Sequence, residues 1–241
     1  MNRGTLSRAI RALLVLLLAL SPPVALAKNG NPNPGVRPPD SRPYGASYAK
    51  WGARWWMWAD AIPADINPIV QPDADCDVNQ SGPVFFLSAV TGGVTRSCTI
   101  RVGKALFFPI VNINNDYPCP DPSFQPAPGQ TLEEFLTEGA QFIIDFTTAL
   151  EVILDGVPLQ ELFDYRATSR LFTFTGDSSL AAVFDPCITG TPQSGVADGY
   201  WIMLKPLTPG PHTLVIRATL DFGGGATFQI DTTYDLTVVQ R

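Results

Sequence analysis

Apolar residues recur along this chain with two different periods, and the change from one to the other organises it. From residue 48 the run YAKWGARWWMWADAI puts Tyr48, Trp51, Trp55, Trp58 and Ile62 at spacings of three and four. That is the period of one helix face, and Pro63 stops it. Ser47 stands where an N-cap is needed. A second helix is predicted where Thr131-Leu132-Glu133-Glu134 opens TLEEFLTEGAQFIIDF. Threonine followed three residues later by glutamate is a capping box, and Leu132, Phe135, Leu136, Phe142 and Ile143 are available for one face.

Elsewhere the period is two. Pro83 to Val90 is a short apolar run ending before Gly92-Gly93, and Val94, Cys98, Ile100 and Val102 oppose Thr95, Ser97, Thr99 and Arg101. These segments read as the two strands of a hairpin. Ala105 to Val111 reads as a third strand, with Pro109 placing it at an edge or a bulge. Leu150 to Leu154 runs into Asp155-Gly156, a hairpin turn dipeptide, and Leu171–Phe174 and Tyr200–Leu204 add further strands. The clearest alternation closes the chain. Leu214, Ile216, Ala218, Leu220 and Phe222 share one side, and beyond Gly223-Gly224-Gly225 so do Phe228, Ile230, Tyr234, Leu236 and Val238. Seven to ten short strands and only two helices predict a mainly β protein. The expected fold is an antiparallel β-sandwich, immunoglobulin-like or jelly-roll, with two short helices packed on it.

Residues 1–27 (MNRGTLSRAIRALLVLLLALSPPVALA) have a basic start, an apolar stretch from Ala12 to Leu20, a proline break and a small-x-small end, which predicts a secretory signal peptide. The apolar stretch is short for a retained anchor, and no cysteine follows Ala27 to take a lipid. Residues 28–47 hold five prolines and almost no large apolar side chain, so they are expected as an extended leader before a single domain over 48–241. The expected address is the periplasm or the cell exterior. There the four cysteines, Cys76, Cys98, Cys119 and Cys187, form two disulfides. Three pairings are formally possible. Cys76–Cys98 with Cys119–Cys187 is favoured because a strand and turn between the first two would fold one back toward the other. Zinc is the rival reading, but there is no C-x-x-C pair and only one histidine.

At 45% hydrophobic and 16% charged, the chain is composed like a folded protein rather than a disordered one. Removing Arg3, Arg8 and Arg11 with the leader leaves 13 bases against 22 acids, a net charge of −9. That balance argues against nucleic acid or an anionic membrane surface as partner, since both need clustered Lys and Arg. No apolar run after the leader is long enough to span a bilayer.

Several motifs stand together. Tyr44-Gly45-x-Ser47-Tyr48 with Trp51, Trp55-Trp56 and Trp58, Ser81-Gly82-Pro83-Val84-Phe85-Phe86-Leu87, Gly103 to Ile110 (GKALFFPI) and Asp198-Gly199-Tyr200-Trp201 resemble a family of small exported bacterial proteins. The resemblance covers most of residues 44–239. It implies export and a single domain, and it carries over no catalytic residue.

Candidate chemistry is sparse. His212 sits in a turn sequence, no G-x-S-x-G elbow accompanies it, and a single histidine excludes the three-His and two-His metal sites. Asp73, Asp75, Asp77 and Asn79 are spaced like the first ligands of a calcium loop. The match fails at Val78, where glycine is needed, and at Val84, where the bidentate glutamate is needed. An acidic loop beside Cys76 is the plainer reading. Carboxylate pairs for acid–base work could come from Asp145, Glu151, Asp155, Glu161, Asp164, Asp185 or Asp198. Nothing predicts a cofactor. Trp56 lies about 100° around the helix from Trp55 and is expected to leave the packed stripe. With Tyr44, Tyr48 or Tyr200-Trp201 it could build a flat aromatic platform for sugar rings or apolar chains. The leading expectation is therefore a non-catalytic binding module for a polysaccharide or cell-envelope polymer. A secreted hydrolase or lyase using carboxylates is the alternative, and a structural or matrix subunit the second. Oligomeric state cannot be read from the sequence.

Overall fold

The computed structural model describes residues 31–240, so the signal peptide expected over 1–27 lies outside the described residues. Two helices and nine strands follow in chain order: α1 (Tyr48–Ala59), β1 (Val84–Phe86), β2 (Val94–Arg101), β3 (Ala105–Tyr117), α2 (Leu132–Ile144), β4 (Thr147–Leu154), β5 (Val157–Pro158), β6 (Phe172–Thr175), β7 (Pro192–Leu204), β8 (Gly210–Asp221) and β9 (Thr227–Val239). One sheet has the order β1-β3-β7-β6 and the other β2-β9-β8-β4-β5. The fold is the sandwich-like, mainly β architecture that the alternation predicts, and one core joins side chains from both sheets. Each sheet carries one parallel pair, β1 with β3 and β2 with β9, among otherwise antiparallel neighbours.

Those parallel pairs correct the hairpin predicted from Pro83 to Val102. The segment after β1 crosses between the sheets instead of turning back. The Leu87 N–H donates to the Phe107 carbonyl of the first sheet, and the Val90 N–H donates to the Thr232 hydroxyl of the second. The disulfides are nevertheless Cys76–Cys98 and Cys119–Cys187. What brings Cys76 to β2 is Arg96. It occupies an inward position of that strand and donates to the carbonyls of Pro68, Gln71 and Pro72, fastening the preceding loop across the sheet.

Residues 105–111 and 195–204 do not alternate because both faces of β3 and β7 are covered. One face meets the second sheet and the other meets the helices, so every side chain but the ion-paired Asp198 is apolar or small. Ser47 caps α1 and Thr131 with Glu134 forms the capping box of α2, as the sequence predicts. Gly52 lets α1 lie close on β7, since a Cβ there would meet the Trp201 ring at 2.9 Å. In α2 the packed face is Leu136, Ala140 and Ile144, whereas Phe142 is exposed. The predicted face is therefore rotated, because spacings of four track the groove over β3 and β7 better than bulk does.

The expected leader is partly anchored. Val36 is fully buried and bridges Leu204, the Arg37 N–H donates to the Met203 carbonyl, and the Lys205 N–H donates to the Gly35 carbonyl. β7 thus has one side paired with β3 and the other covered piecewise. β6 covers residues 192–195, segment 166–169 covers 197–200, and segment 35–37 covers 203–205. Among the described residues, no helix is long and apolar enough to cross a membrane.

Candidate functional site

The aromatic residues expected to form a platform are dispersed. Trp56 is only 6% exposed, Tyr48, Tyr200 and Trp201 are buried, and Tyr44 alone is open at 42%. Trp201 stacks on Phe107, and Tyr200 meets Phe163 edge to face. Tyr48 spends its hydroxyl on the backbone, donating to the Arg37 carbonyl and accepting from the Met203 N–H. No flat exposed platform forms, because the helix face and the sheet close on each other over these rings.

Trp56 nevertheless differs from the other four tryptophans. The indole N–H groups of Trp51, Trp55, Trp58 and Trp201 donate to the carbonyls of Pro43, Leu87, Val78 and Ala167. The Trp56 Nε1 is equally buried and has no partner. It lines a cavity of about 240 Å³ with Asp60, Asn112, Ile113, Asn114, Phe184, Asp185 and Ile188. Three more buried polar atoms without a partner lie on residues of the same wall: Asp60 Oδ1, Asn112 Nδ2 and Asn114 Oδ1. Buried polar groups are almost always paired, so four orphans around one cavity are a concentration that packing does not explain.

The chain builds this site from three places. Trp56 and Asp60 end α1, with Asp60 as its C-cap. Asn112, Asn114 and Asp116 fall on one side of β3 by its period of two. A register shift between Pro109 and Val111 precedes them, of the kind that re-aims side chains. Gly199 on β7 is required opposite, since a Cβ there would stand 2.5 Å from the Val111 carbonyl oxygen and 2.7 Å from the Asn112 Cβ. Phe184 and Asp185 follow a short 3-10 turn (Ser178–Ala182) and are held by the Cys119–Cys187 disulfide. Phe184, 41% exposed, leans on Trp56 with ring centroids 6.2 Å apart. A second, more apolar cavity of about 240 Å³ lies on the other side of these residues. It shares Trp56, Asn112 and Phe184 and adds Trp55, Ile69, Val111, Phe228 and Ile230.

The electrostatics are one-signed. Asp60 is 1% exposed and its carboxyl is held well above the ordinary carboxylate range by burial, then by the charges of Asp116 and Asp185. The one opposing influence is a long hydrogen bond from Asn114 Nδ2 at 3.3 Å. Asp116 is pushed up to about 7 by burial first and then by Asp185, with which it shares a hydrogen bond. Two carboxyl groups can share one only by keeping a proton between them. Gln193 Nε2 donates to Asp116 at 3.0 Å and to the Cys187 carbonyl at 2.7 Å, tying strand to loop. Asp116, Asp185 and Cys187 offer ligand atoms within 4.8 Å of one another. The Cys187 sulfur is committed to its disulfide and is no thiolate ligand.

Of the carboxylates singled out from the sequence, only Asp185 reaches this site. Asp198 is fully buried, accepting from Arg166 Nε at 3.1 Å and Nη2 at 2.7 Å and from the Thr168 hydroxyl at 2.9 Å, while Asp145 takes the other arm of Arg166. Asp155 pairs with His212 Nδ1 at 2.7 Å, and Glu151 with Arg217. Glu161 precedes the 3-10 turn Leu162–Tyr165 and Asp164 lies within it, both exposed. Asp73, Asp75, Asp77 and Asn79 are all exposed on the loop that Arg96 fastens, and none of them belongs to the carboxylate cluster above. Asp60, Asn112, Asn114 and Asp116 were not expected. For the three on β3 the signal is the run Asn112-Ile113-Asn114-Asn115-Asp116 directly after a buried strand, which reads as a turn by composition but alternates as a strand.

No family model matches the chain, and no curated protein matches it. Among solved structures, a cysteine protease inhibitor from Entamoeba histolytica matches at 13% identity, over 65% of this chain and 96% of that chain, with a TM-score of 0.24. So low a score carries no argument about function.

Proposed function

We propose that this protein is an exported, non-catalytic binding module that seats a saccharide unit of an extracellular or envelope polymer in the Trp56 cavity. The observation that carries the reading is the set of orphaned atoms. Two are donors, Trp56 Nε1 and Asn112 Nδ2, and two are acceptors, Asp60 Oδ1 and Asn114 Oδ1. A sugar hydroxyl both donates and accepts, so neighbouring hydroxyls on one ring satisfy a mixed set of this kind. The Trp56 and Phe184 rings supply the apolar wall that a ring's C–H face requires. At about 240 Å³ the cavity is below the ~300 Å³ at which drug-sized pockets begin, which suits one ring with a neighbour in the second cavity that shares Trp56, Asn112 and Phe184. Export is supported by the two disulfides, since such bonds persist in oxidising compartments.

The test is a titration of the mature protein with soluble oligomers of envelope and extracellular polysaccharides, followed by tryptophan fluorescence, with the supernatant assayed for new reducing ends. Saturable binding should weaken about five- to tenfold in Trp56→Phe, which keeps an aromatic ring but removes one hydrogen bond, and similarly in Asn112→Ala. Binding that ignores both substitutions would place the ligand elsewhere. Release of reducing ends would replace the module with a hydrolase using the same carboxylates.

A further inference from the structure

The cavity walls are more acidic than hydroxyl recognition needs. Asp60 and Asp185 line the cavity and Asp116 lies directly behind Asp185, yet the ion pairs among the described residues join Arg166, Arg170, His212 and Arg217 to other carboxylates. Asp60 is also the C-cap of α1, a helix with no basic residue in its last turn. The negative end of the helix dipole therefore adds to the carboxylates instead of offsetting them. Burial and the two acids facing it keep the proton on the Asp60 carboxyl, and among the described residues the cavity wall holds no positive charge that would draw that proton off.

We infer that the ligand supplies it, as a primary ammonium group on the bound saccharide, seated between Asp60 and Asp185 and against the Trp56 ring. Asp60 Oδ1 is the unpartnered buried oxygen that accepts from it. The Trp56 and Phe184 rings offer π faces that favour a cation. Asn112 and Asn114 are left for ring hydroxyls. A bare metal ion fits this wall less well, because two of the four orphaned groups, Trp56 Nε1 and Asn112 Nδ2, are donors and repel a cation's coordination shell. The ligand class is thus an amino sugar with its nitrogen unacylated. This rests on the saccharide reading above and sharpens it.

The test compares three oligomers of matched length by tryptophan fluorescence and calorimetry: glucosamine, N-acetylglucosamine and glucose. The free-amine oligomer should bind about tenfold or more tighter than the other two, as a charge-assisted hydrogen bond replaces a neutral one. In Asp60→Asn that preference should collapse while the weaker binding of the glucose oligomer persists. Should Asp60→Asn not fold, Asp185→Asn at the cavity rim carries the same expectation, and Asp164→Asn, remote from the cavity, should leave the preference intact. Equal binding of all three oligomers would overturn the ammonium inference and leave the saccharide module standing. No binding of any oligomer would overturn both. A fluorescence change produced by calcium chloride and reversed by chelator, with no response to the amine oligomer, would overturn the inference in favour of a metal site.

Discussion

Asp116 is the position where the physics of the site can be separated from its ligand. It is buried, and its proton affinity rises from the ordinary 3.8 to about 7. Each tenfold change in proton affinity is worth about 1.4 kcal/mol. A carboxyl whose pKa is raised on folding keeps its proton in the native state while the unfolded chain has lost it. Stability then falls as pH rises from about 4 through about 7 and levels off above. The full effect has an upper bound of about 4 kcal/mol, of which roughly 2.5 kcal/mol falls between pH 5 and pH 8. Relaxation and water penetration reduce what is realised, so about 1–2.5 kcal/mol is expected over that interval. Asp116→Asn mimics the protonated group: its carbonyl still accepts from Gln193 and its amide donates to Asp185. The assay is urea unfolding of the oxidised mature protein at half-unit steps from pH 5 to pH 8. The wild type should lose stability over this range and the variant should lose less, with the difference between them growing up to about pH 7. His212, raised by its hydrogen bonds to Asp155 and Thr208 against the effect of burial, gives both proteins a shared residual slope, and Asp60, raised by burial and then by Asp116, adds a slope that is smaller in the variant. If the two curves stay parallel from pH 5 to pH 8, Asp116 holds no proton in the native state and the electrostatic account of the site is wrong.

Two further outcomes follow from groups away from the cavity wall. Arg166→Met should cost about 3–5 kcal/mol by urea unfolding, because it strands the fully buried Asp198 as an uncompensated charge; adding Asp198→Asn should recover part of the loss. The Cys119→Ser/Cys187→Ser pair opens a loop of 68 residues and the Cys76→Ser/Cys98→Ser pair one of 22, so chain entropy predicts losses of about 4 and about 3 kcal/mol. Only the first pair should also weaken ligand binding, since it alone releases the segment carrying Phe184 and Asp185.

The strands of the second sheet were legible because β8 and β9 have one covered face and one wet face, so polarity follows geometry along most of their length, with the exposed Phe228 and the buried Thr232 as exceptions. The first sheet was harder to read. Where β3 is covered on both sides it shows no alternation, and where it turns polar at Asn112 its composition imitates a turn, so the strand predicted from the sequence ends at Val111, before the half that carries the site. Trp56 was singled out for the right departure from the helix stripe but given the wrong surroundings, because a helical angle says which way a ring leaves its helix and not what segment later closes over it. Phe184 and Asp185 come from a stretch with no periodicity, and only the disulfide partner of Cys119 hinted that it returns to β3. Asp60 gave no signal, since an aspartate at a helix end is ordinary until the other acids facing it are known.

The piecewise cover of β7 has a consequence for how this protein opens. A long strand bordered by one partner unzips as a unit, whereas the outer side of β7 is finished by three unrelated segments, each held by only a few hydrogen bonds. Each can detach without disturbing the other two, so amide exchange along this border should fall into three separate classes rather than one cooperative block. The same division guards against fibre growth. A stray strand seeking the β7 border would have to displace three independent covers at once, and the exposed template that any single local opening offers is too short to recruit one.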